Sequence, residues 1–182
     1  LLIAAGKPLP KTQAEIAQHG HAIEVRLYAE DPAKNFMPAP GTLTRWEIPP
    51  LPRTRAENGY RTGNTISANY DPMIAKLIAW GETREETNQR LQQLLQQTIA
   101  TGLTSNREFL IRVLQHPAFI AGQTTTDFVE THRESLQQST PSQDMLAAFA
   151  AACLLSAQTA AHAQTTREEH SAWTHPNLAG HR

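Results

Sequence analysis

Cysteine is nearly absent from this chain of 182 residues, and Cys153 is its single thiol. One cysteine excludes an intrachain disulfide, which fits a reducing compartment. Cys153 lies in an apolar run of alanine and leucine without a basic neighbour. Because a reactive thiol needs an electropositive, partly exposed setting, the sequence predicts a buried structural thiol rather than a nucleophile.

Strong charge and long apolar runs are also missing. The formal net charge is −1 and 18% of the residues are charged, so no basic surface indicates nucleic acid as a partner. The longest apolar run, residues 145–155, is too short to span a bilayer, and no membrane partner is predicted. No signal-peptide pattern is visible, and Leu1 begins within an apolar segment. We therefore expect a piece of a longer protein.

The motifs of several enzyme classes are missing as well. The sequence has no glycine-rich phosphate loop and no Ser/His/Asp order typical of a hydrolase. Its eight histidines show no HxH or HxxxH spacing on a predicted helix or strand, so no metal site is predicted. Metal binding by the polar tail, with His170, His175 and His181, is kept as a minor alternative. Any nucleotide chemistry must come from sequence outside this chain.

Periodicity divides the chain into strands followed by helices, which is typical of the α+β class. Strands and turns are predicted from His21 to Trp80, with strands after the first over residues 41–48, 53–60 and 74–80. Capping boxes at Thr83/Glu86 and Ser105/Glu108 predict two helices, the first ended by Gly102 and the second by His116-Pro117; a short third helix is predicted over 126–132. These antiparallel strands and packed helices form a predicted domain over residues 1–134.

A linker-like segment at 135–141 precedes the last predicted region, residues 142–182. Thr140, Pro141 and Gln143 form a helix start, and the alanine-rich helix behind them is predicted to run to about residue 163. The apolar surface of this helix needs a packing partner, which we expect outside the chain.

The strand within GHAIEVRLYAEDPAKNFMPAPG, residues 20–41, has two different faces. Ile23, Val25 and Leu27 share an apolar face, whereas Arg26 lies on the opposite one, because strand residues alternate. A guanidinium is a planar donor with a permanent charge, which suits a carboxylate, bicarbonate or an enolate oxygen. Arg26 is therefore the leading candidate for a catalytic residue.

Two structural alternatives stand beside this interpretation. Arg26 could serve only in a salt bridge, for which the candidate partners are Glu24, Glu30 and Asp31. The YDPM motif could place Asp71 near Lys76 as a functional pair, but a turn that enters a strand explains it more simply.

Six motifs together resemble the C-terminal domain of biotin carboxylase. They are LLIAAGKPLP, GHAIEVRLYAEDP, FMPAPGTLTRW, NYDPMIAKLIAWG, TGLTSNREFL and HPAFIAGQTTTDFVETH, and they occur in this order within residues 1–132. The resemblance implies a ligase that uses ATP, with Mg or Mn bound mainly by an upstream ATP-grasp module, to carboxylate biotin on a carrier domain with bicarbonate. The isolated chain is then expected to be inactive.

The resemblance also implies roles for individual residues. Arg26 matches the arginine that contacts the ureido oxygen of biotin and stabilises its enolate. Arg55 matches a position at the interface of the biotin carboxylase homodimer. Thr126 and Asp127 match the segment that borders the adenine pocket.

The alanine-rich helix and Trp173 resemble the region that follows biotin carboxylase in acyl-CoA carboxylase α-subunits, best in the methylcrotonyl-CoA type. This implies a carboxyltransferase β-subunit as a partner and a cytoplasmic location, or the mitochondrial matrix in a eukaryote. The alternative is a non-catalytic scaffold or interaction module with the same fold.

Overall fold

The structure is a computed structural model that describes residues 1–137 and 145–153. The chain divides into two units, Leu1–Gln138 and Ser139–Arg182. In the first unit the strands are β1 (His21–Tyr28), β2 (Glu30–Asp31), β3 (Met37–Pro38), β4 (Gly41–Thr42), β5 (Arg45–Glu47), β6 (Thr54–Asn58), β7 (Thr65–Ile66), β8 (Met73–Gly81) and β9 (Ile99–Thr101). The α-helices are α1 (Arg84–Gln97), α2 (Arg107–Gln115), α3 (Pro117–Ile120), α4 (Phe128–Thr131) and α5 (Arg133–Leu136), with short 3₁₀ turns at Gln13–Glu15 and Pro32–Lys34.

The main sheet is antiparallel and has the strand order β1-β8-β6. Strand β8 lies in the middle, and the remaining strands form the pairs β2-β3, β4-β7 and β5-β9. Along β1, Ile23, Val25 and Leu27 are buried while the residues between them are exposed. This is the predicted alternation, and the α+β fold class is confirmed.

Helix α1 packs on the apolar face of the sheet. Its start is capped by the Thr83 side chain, which accepts a hydrogen bond from the Glu86 amide at 3.1 Å. Leu91, Leu94 and Leu95 of α1 are almost fully buried against the sheet. The apolar side chains of the core are Ile23, Val25, Leu27, Ala29, Leu43, Trp46, Ile66, Ile74, Ala75, Leu77, Ala79, Leu91, Leu94, Leu95, Ile111 and Leu114.

Helix α1 is shorter than predicted. It ends at Gln97, and after Thr98 the residues Ile99–Thr101 form β9 against β5, so the prediction that Gly102 ends the helix was wrong. The β-branched residues Ile99 and Thr101 favour a strand when a neighbouring strand is available to pair with them. That strand is β5, which lies far away in the sequence. Gly102 instead lies after β9 with a φ of 94°.

Other predicted boundaries also differ from the structure. The strand predicted over 41–48 is two strands, because β4 pairs with β7 and β5 with β9. The predicted helix over 126–132 contains α4, and the sequence did not predict α3 or α5. Short elements depend on partners distant in the chain, which local periodicity does not show.

In the second unit the structure describes residues 145–153, which are helical and exposed. The remainder of the predicted alanine-rich helix and the histidines of the tail lie outside the described residues. The prediction that Cys153 is buried was wrong, because Cys153 is exposed in the structure. Among the described parts of the chain, no helix is long and apolar enough to cross a membrane.

Candidate active-site wall

Arg26 lies on the solvent-facing side of the main sheet. Its side chain is 62% exposed, while Val25 and Leu27 on either side point into the core. The buried neighbours fix the strand in place, and strand alternation then directs the guanidinium outward. The sequence prediction that Arg26 faces away from the apolar side is confirmed.

Charged side chains from all three strands share this side of the sheet. We call it the charged face and define it by Glu24 and Arg26 of β1, Lys76 of β8, and Arg55 and Glu57 of β6. The register places Lys76 opposite both Arg26 and Glu57, so these three residues form a row across the sheet. In the next row, Ile78 of β8 lies opposite Glu24 of β1 on one side and opposite Arg55 of β6 on the other. Arg26 and Arg55, predicted separately, therefore occupy one face.

Glu57 is held by two cations on the charged face. One carboxylate oxygen lies 2.6 Å from Lys76 Nζ, and the other lies 3.0 Å from Arg55 Nη2. The hydrogen bond to Lys76, the Lys76 charge and then the Arg55 charge lower the pKa of Glu57. Glu57 therefore stays ionised and pairs with these two cations.

Arg26 has a weaker carboxylate partner. Its Nε lies 3.5 Å from Glu24 Oε1, which is longer than the roughly 2.7–2.9 Å of a charge-assisted hydrogen bond. Arg45 and Glu47 of β5 form a stronger pair, with contacts of 3.0 and 3.1 Å from two guanidinium nitrogens. The comparison shows that Glu24 holds Arg26 loosely, and exposed ion pairs contribute little to stability.

Of the three alternative partners named for Arg26, Glu24 is the one in contact. Asp31 pairs with Lys34 at 3.2 Å and accepts a hydrogen bond from the Ala33 amide. Interaction with the Tyr28 side chain first, and with Glu24 second, raises the pKa of Arg26 above its usual value. The guanidinium therefore stays charged at any working pH.

The YDPM segment is a turn. Asp71 Oδ1 accepts a hydrogen bond from the Met73 amide at 3.0 Å, which is an Asx turn leading into β8. Lys76 contacts Glu57 and not Asp71 in the ion pair described above. The charge of Asp71 acts on Glu30 instead. Burial first, and repulsion from Asp71 second, raise the pKa of Glu30. The structural interpretation of this motif is the one that the contacts favour.

Thr126 and Asp127 are exposed and lie just before α4, on a different element from the charged face. Phe128, which follows them, is buried and makes edge-on ring contacts with His116 and Phe119. Hydrogen bonds, with the Thr125 side chain first, lower the pKa of Asp127. Phe128 therefore anchors a segment that presents an ionised carboxylate to solvent.

Asn106 is a buried residue of this region that the sequence analysis did not single out. Its side chain accepts a hydrogen bond from the Tyr28 amide at 2.9 Å and donates one to the Arg26 carbonyl at 3.2 Å. The sequence interpretation placed the helix cap at Ser105, one residue earlier, but Asn106 is the N-cap of α2. Because the cap was assigned to Ser105, Asn106 was given no role, and its contact with β1 spans 78 residues of sequence, which local patterns do not show.

Biotin fits the donor chemistry of Arg26, since a permanently charged planar donor matches a ureido oxygen that gains negative charge. Over residues 1–137 and 145–153, no group of three or more His, Cys, Asp or Glu side chains could hold a metal ion. The described part of the chain thus offers a cation for a ligand oxygen rather than a set of metal ligands.

Comparison with known proteins places this fold in a family. Residues 24–131 match the model of the biotin carboxylase C-terminal domain, and the chain belongs to that family. The resemblance found in the sequence is confirmed.

Two relatives and one solved structure show the extent of the similarity. The chain is 46% identical over 140 residues to the mitochondrial methylcrotonoyl-CoA carboxylase subunit alpha of Mus musculus, covering 76% of this chain and 20% of that protein. It is 38% identical over 178 residues to the Arabidopsis thaliana protein of that name, covering 96% of this chain and 24% of that protein. The chain thus spans a fifth to a quarter of these relatives.

The structure resembles the biotin carboxylase domain of the Hydrogenobacter thermophilus 2-oxoglutarate carboxylase, with a TM-score of 0.71 and 33% identity. The match covers 76% of this chain and 30% of that chain. That structure is a dimer in complex with MgADP, ADP and bicarbonate.

Proposed function

We propose that this domain is one wall of the active site of a biotin carboxylase and contributes Arg26 to it. The whole subunit carboxylates carrier-bound biotin with bicarbonate at the expense of ATP, as the first half-reaction of an acyl-CoA carboxylase. The observation that carries the proposal is the exposed guanidinium of Arg26, whose carboxylate partner Glu24 lies 3.5 Å away, on a strand fixed by its buried neighbours.

Arg26 acts on biotin by electrostatic stabilisation. Its N–H groups donate hydrogen bonds to the ureido oxygen, where negative charge develops when the neighbouring nitrogen transfers its proton to a base supplied from outside this chain. A fixed donor of this kind lowers the free energy of the charged transition state because it needs no reorganisation during the reaction. A guanidinium is already protonated at any working pH, so Arg26 cannot be the proton acceptor itself.

ATP and Mg or Mn are assigned mainly to an ATP-grasp module outside this chain. Thr126 and Asp127 would border the adenine pocket from this side. The Hydrogenobacter structure, which contains MgADP and bicarbonate, supports the use of these ligands by the family.

Arg55 is assigned to the interface of a homodimer, at the β6 edge of the charged face and away from Arg26 on β1. Arg55 is 69% exposed in its side chain, so a partner domain docked there would contact it. The Hydrogenobacter domain is described as a dimer. The further partners are the biotin carboxyl carrier domain and the carboxyltransferase β-subunit.

The methylcrotonyl-CoA type is favoured as the acyl-CoA carboxylase. The Arabidopsis relative of that name matches 96% of this chain, which extends well beyond the family match over residues 24–131 and the predicted domain end at residue 134. The name of the mouse relative includes the mitochondrion, which supports the matrix location if the source is eukaryotic.

Replacement of Arg26 by alanine in the full-length subunit tests the proposal. We expect biotin-dependent ATP turnover to fall by about 10²–10³-fold, the usual loss for one such donor, with little change in the KM for ATP. Arg45→Ala is the matched control, because Arg45 is 59% exposed and lies on β5. The isolated chain is expected to be inactive in the same assay.

Equal activity of the Arg26 and Arg45 variants would contradict the proposal and favour a non-catalytic scaffold with this fold. A parallel loss of ATP binding in the Arg26 variant would indicate a folding defect instead of a catalytic role.

A further inference from the structure

The end of β1 that carries Arg26 pairs irregularly with its neighbour. Leu27 lies opposite Ala75 but Tyr28 lies opposite Met73, so Ile74 has no partner and forms a bulge in β8. Strand β1 is also at the edge of the sheet, with β8 on one side only. The outward-facing backbone groups near Arg26 therefore need partners from another element.

Asn106 supplies those partners. Its Oδ1 accepts from the Tyr28 amide at 2.9 Å, and its Nδ2 donates to the Arg26 carbonyl at 3.2 Å. Its own backbone amide donates to the Tyr28 carbonyl at 3.1 Å. The carboxamide thus makes the hydrogen bonds that a peptide group of a neighbouring strand would make at the open edge of β1. It makes them to Arg26 and Tyr28, the residues on either side of Leu27.

The position of Asn106 makes this use of its side chain unusual. As the N-cap of α2, an asparagine would normally accept a hydrogen bond from the first turn of the helix, which contributes about 1 kcal/mol. Here the side chain makes no such cap bond, and the residue is only 6% exposed. The side chain is directed to β1 instead, although the helix loses the stabilisation of its cap.

We infer that Asn106 is a positioning residue for Arg26. It holds the Arg26 carbonyl and the Tyr28 amide against α2, and so it sets the place from which the guanidinium extends over the charged face. The inference rests on the proposed role of Arg26 toward biotin. Because misplacement of a reacting group by about 1 Å can cost 10²-fold in rate, a small shift of this edge would affect biotin carboxylation.

The test uses Asn106→Ala and Asn106→Asp in the full-length subunit. Asn88→Ala is the matched control, because Asn88 is also a buried asparagine, 4% exposed, whose Nδ2 donates to a backbone carbonyl, that of Leu114, at 2.8 Å. That bond joins α1 to α2 and does not involve β1. Each variant is measured for its unfolding temperature, for kcat and KM with free biotin, and for bicarbonate-dependent ATP hydrolysis without biotin.

We expect Asn106→Ala to lower kcat/KM for biotin by about 10–100-fold relative to Asn88→Ala, with ATP hydrolysis without biotin within about twofold of the unmodified subunit. Asn106→Asp keeps the shape and an acceptor for the Tyr28 amide but sets a carboxylate oxygen against the Arg26 carbonyl oxygen, so we expect a loss at least as large as that of Asn106→Ala. The aspartate variant also keeps the test valid if the alanine variant fails to fold.

Equal losses in both assays, or equal behaviour of the Asn106 and Asn88 variants, would overturn the inference. Arg26→Ala measured in parallel separates this failure from that of the proposed function. If Arg26→Ala leaves biotin carboxylation intact, the proposed function fails. If Arg26→Ala is impaired but the Asn106 variants match Asn88→Ala, the positioning role alone is wrong.

Discussion

Gly102 occupies a position where a side chain has no room, and its replacement by alanine should be severely destabilising. A Cβ atom at this residue would lie 2.1 Å from the Thr42 carbonyl oxygen and 2.8 Å from the Thr44 amide nitrogen. Both are backbone atoms, so they cannot move aside as a flexible side chain would. The residue also has a φ of 94°, which L-residues rarely adopt.

A control variant separates the cost of the steric clash from the cost of the positive φ. Gly63 has a similar φ of 89°, but a Cβ there would have no neighbour within 4 Å. We expect Gly63→Ala to cost roughly 1–2 kcal/mol, which is the backbone strain alone. Gly102→Ala carries the same strain plus an overpacking cost of about 1–3 kcal/mol, so its free energy of unfolding should fall by about 2–5 kcal/mol in total.

Urea unfolding monitored by far-ultraviolet circular dichroism measures both variants. A total stability of about 5–15 kcal/mol is typical, so the Gly102 variant should show a clear fall in its midpoint. If the two variants are destabilised equally, the close approach between Gly102 and β4 does not exist in solution, and the described path of the chain from β9 to α2 is wrong.

Two further predictions concern the core and the pH dependence of stability. Leu77 is fully buried at the centre of β8, and we expect Leu77→Ala to lower the free energy of unfolding by about 2–5 kcal/mol in the same urea assay; a loss below about 1 kcal/mol would contradict its place in the core. Because the pKa of Glu30 is raised in the folded state, its ionisation opposes folding as the pH rises through that pKa. Glu30→Gln should therefore raise the thermal midpoint at pH 7, and the gain should vanish below the ordinary glutamate pKa of about 4.3; a gain that persists at pH 3 would refute this cause.

The sequence predicts the elements whose signals are local. The alternation around Arg26 places its side chain correctly because one face of β1 must be buried, and a shift by one residue would expose Val25 and Leu27. The start of α1 at Thr83 is also predicted correctly, since a cap depends on residues within one turn.

The features missed from the sequence depend on distant partners. Strand β9 forms because β5 is available to it, more than fifty residues earlier in the chain, and the apolar pattern of α1 concealed it. The contact of Asn106 with β1 likewise joins positions 78 residues apart. The row formed by Arg26, Lys76 and Glu57 follows from the strand order β1-β8-β6, which hydrophobic periodicity does not specify.

A crystal structure of the full-length subunit with biotin bound would show whether Arg26 contacts the ureido oxygen of biotin. We predict a guanidinium nitrogen of Arg26 within about 2.7–3.2 Å of the ureido oxygen, with the 3.5 Å contact to Glu24 retained or lengthened. Biotin bound with its ureido oxygen away from the charged face, and Arg26 still facing solvent, would contradict the account.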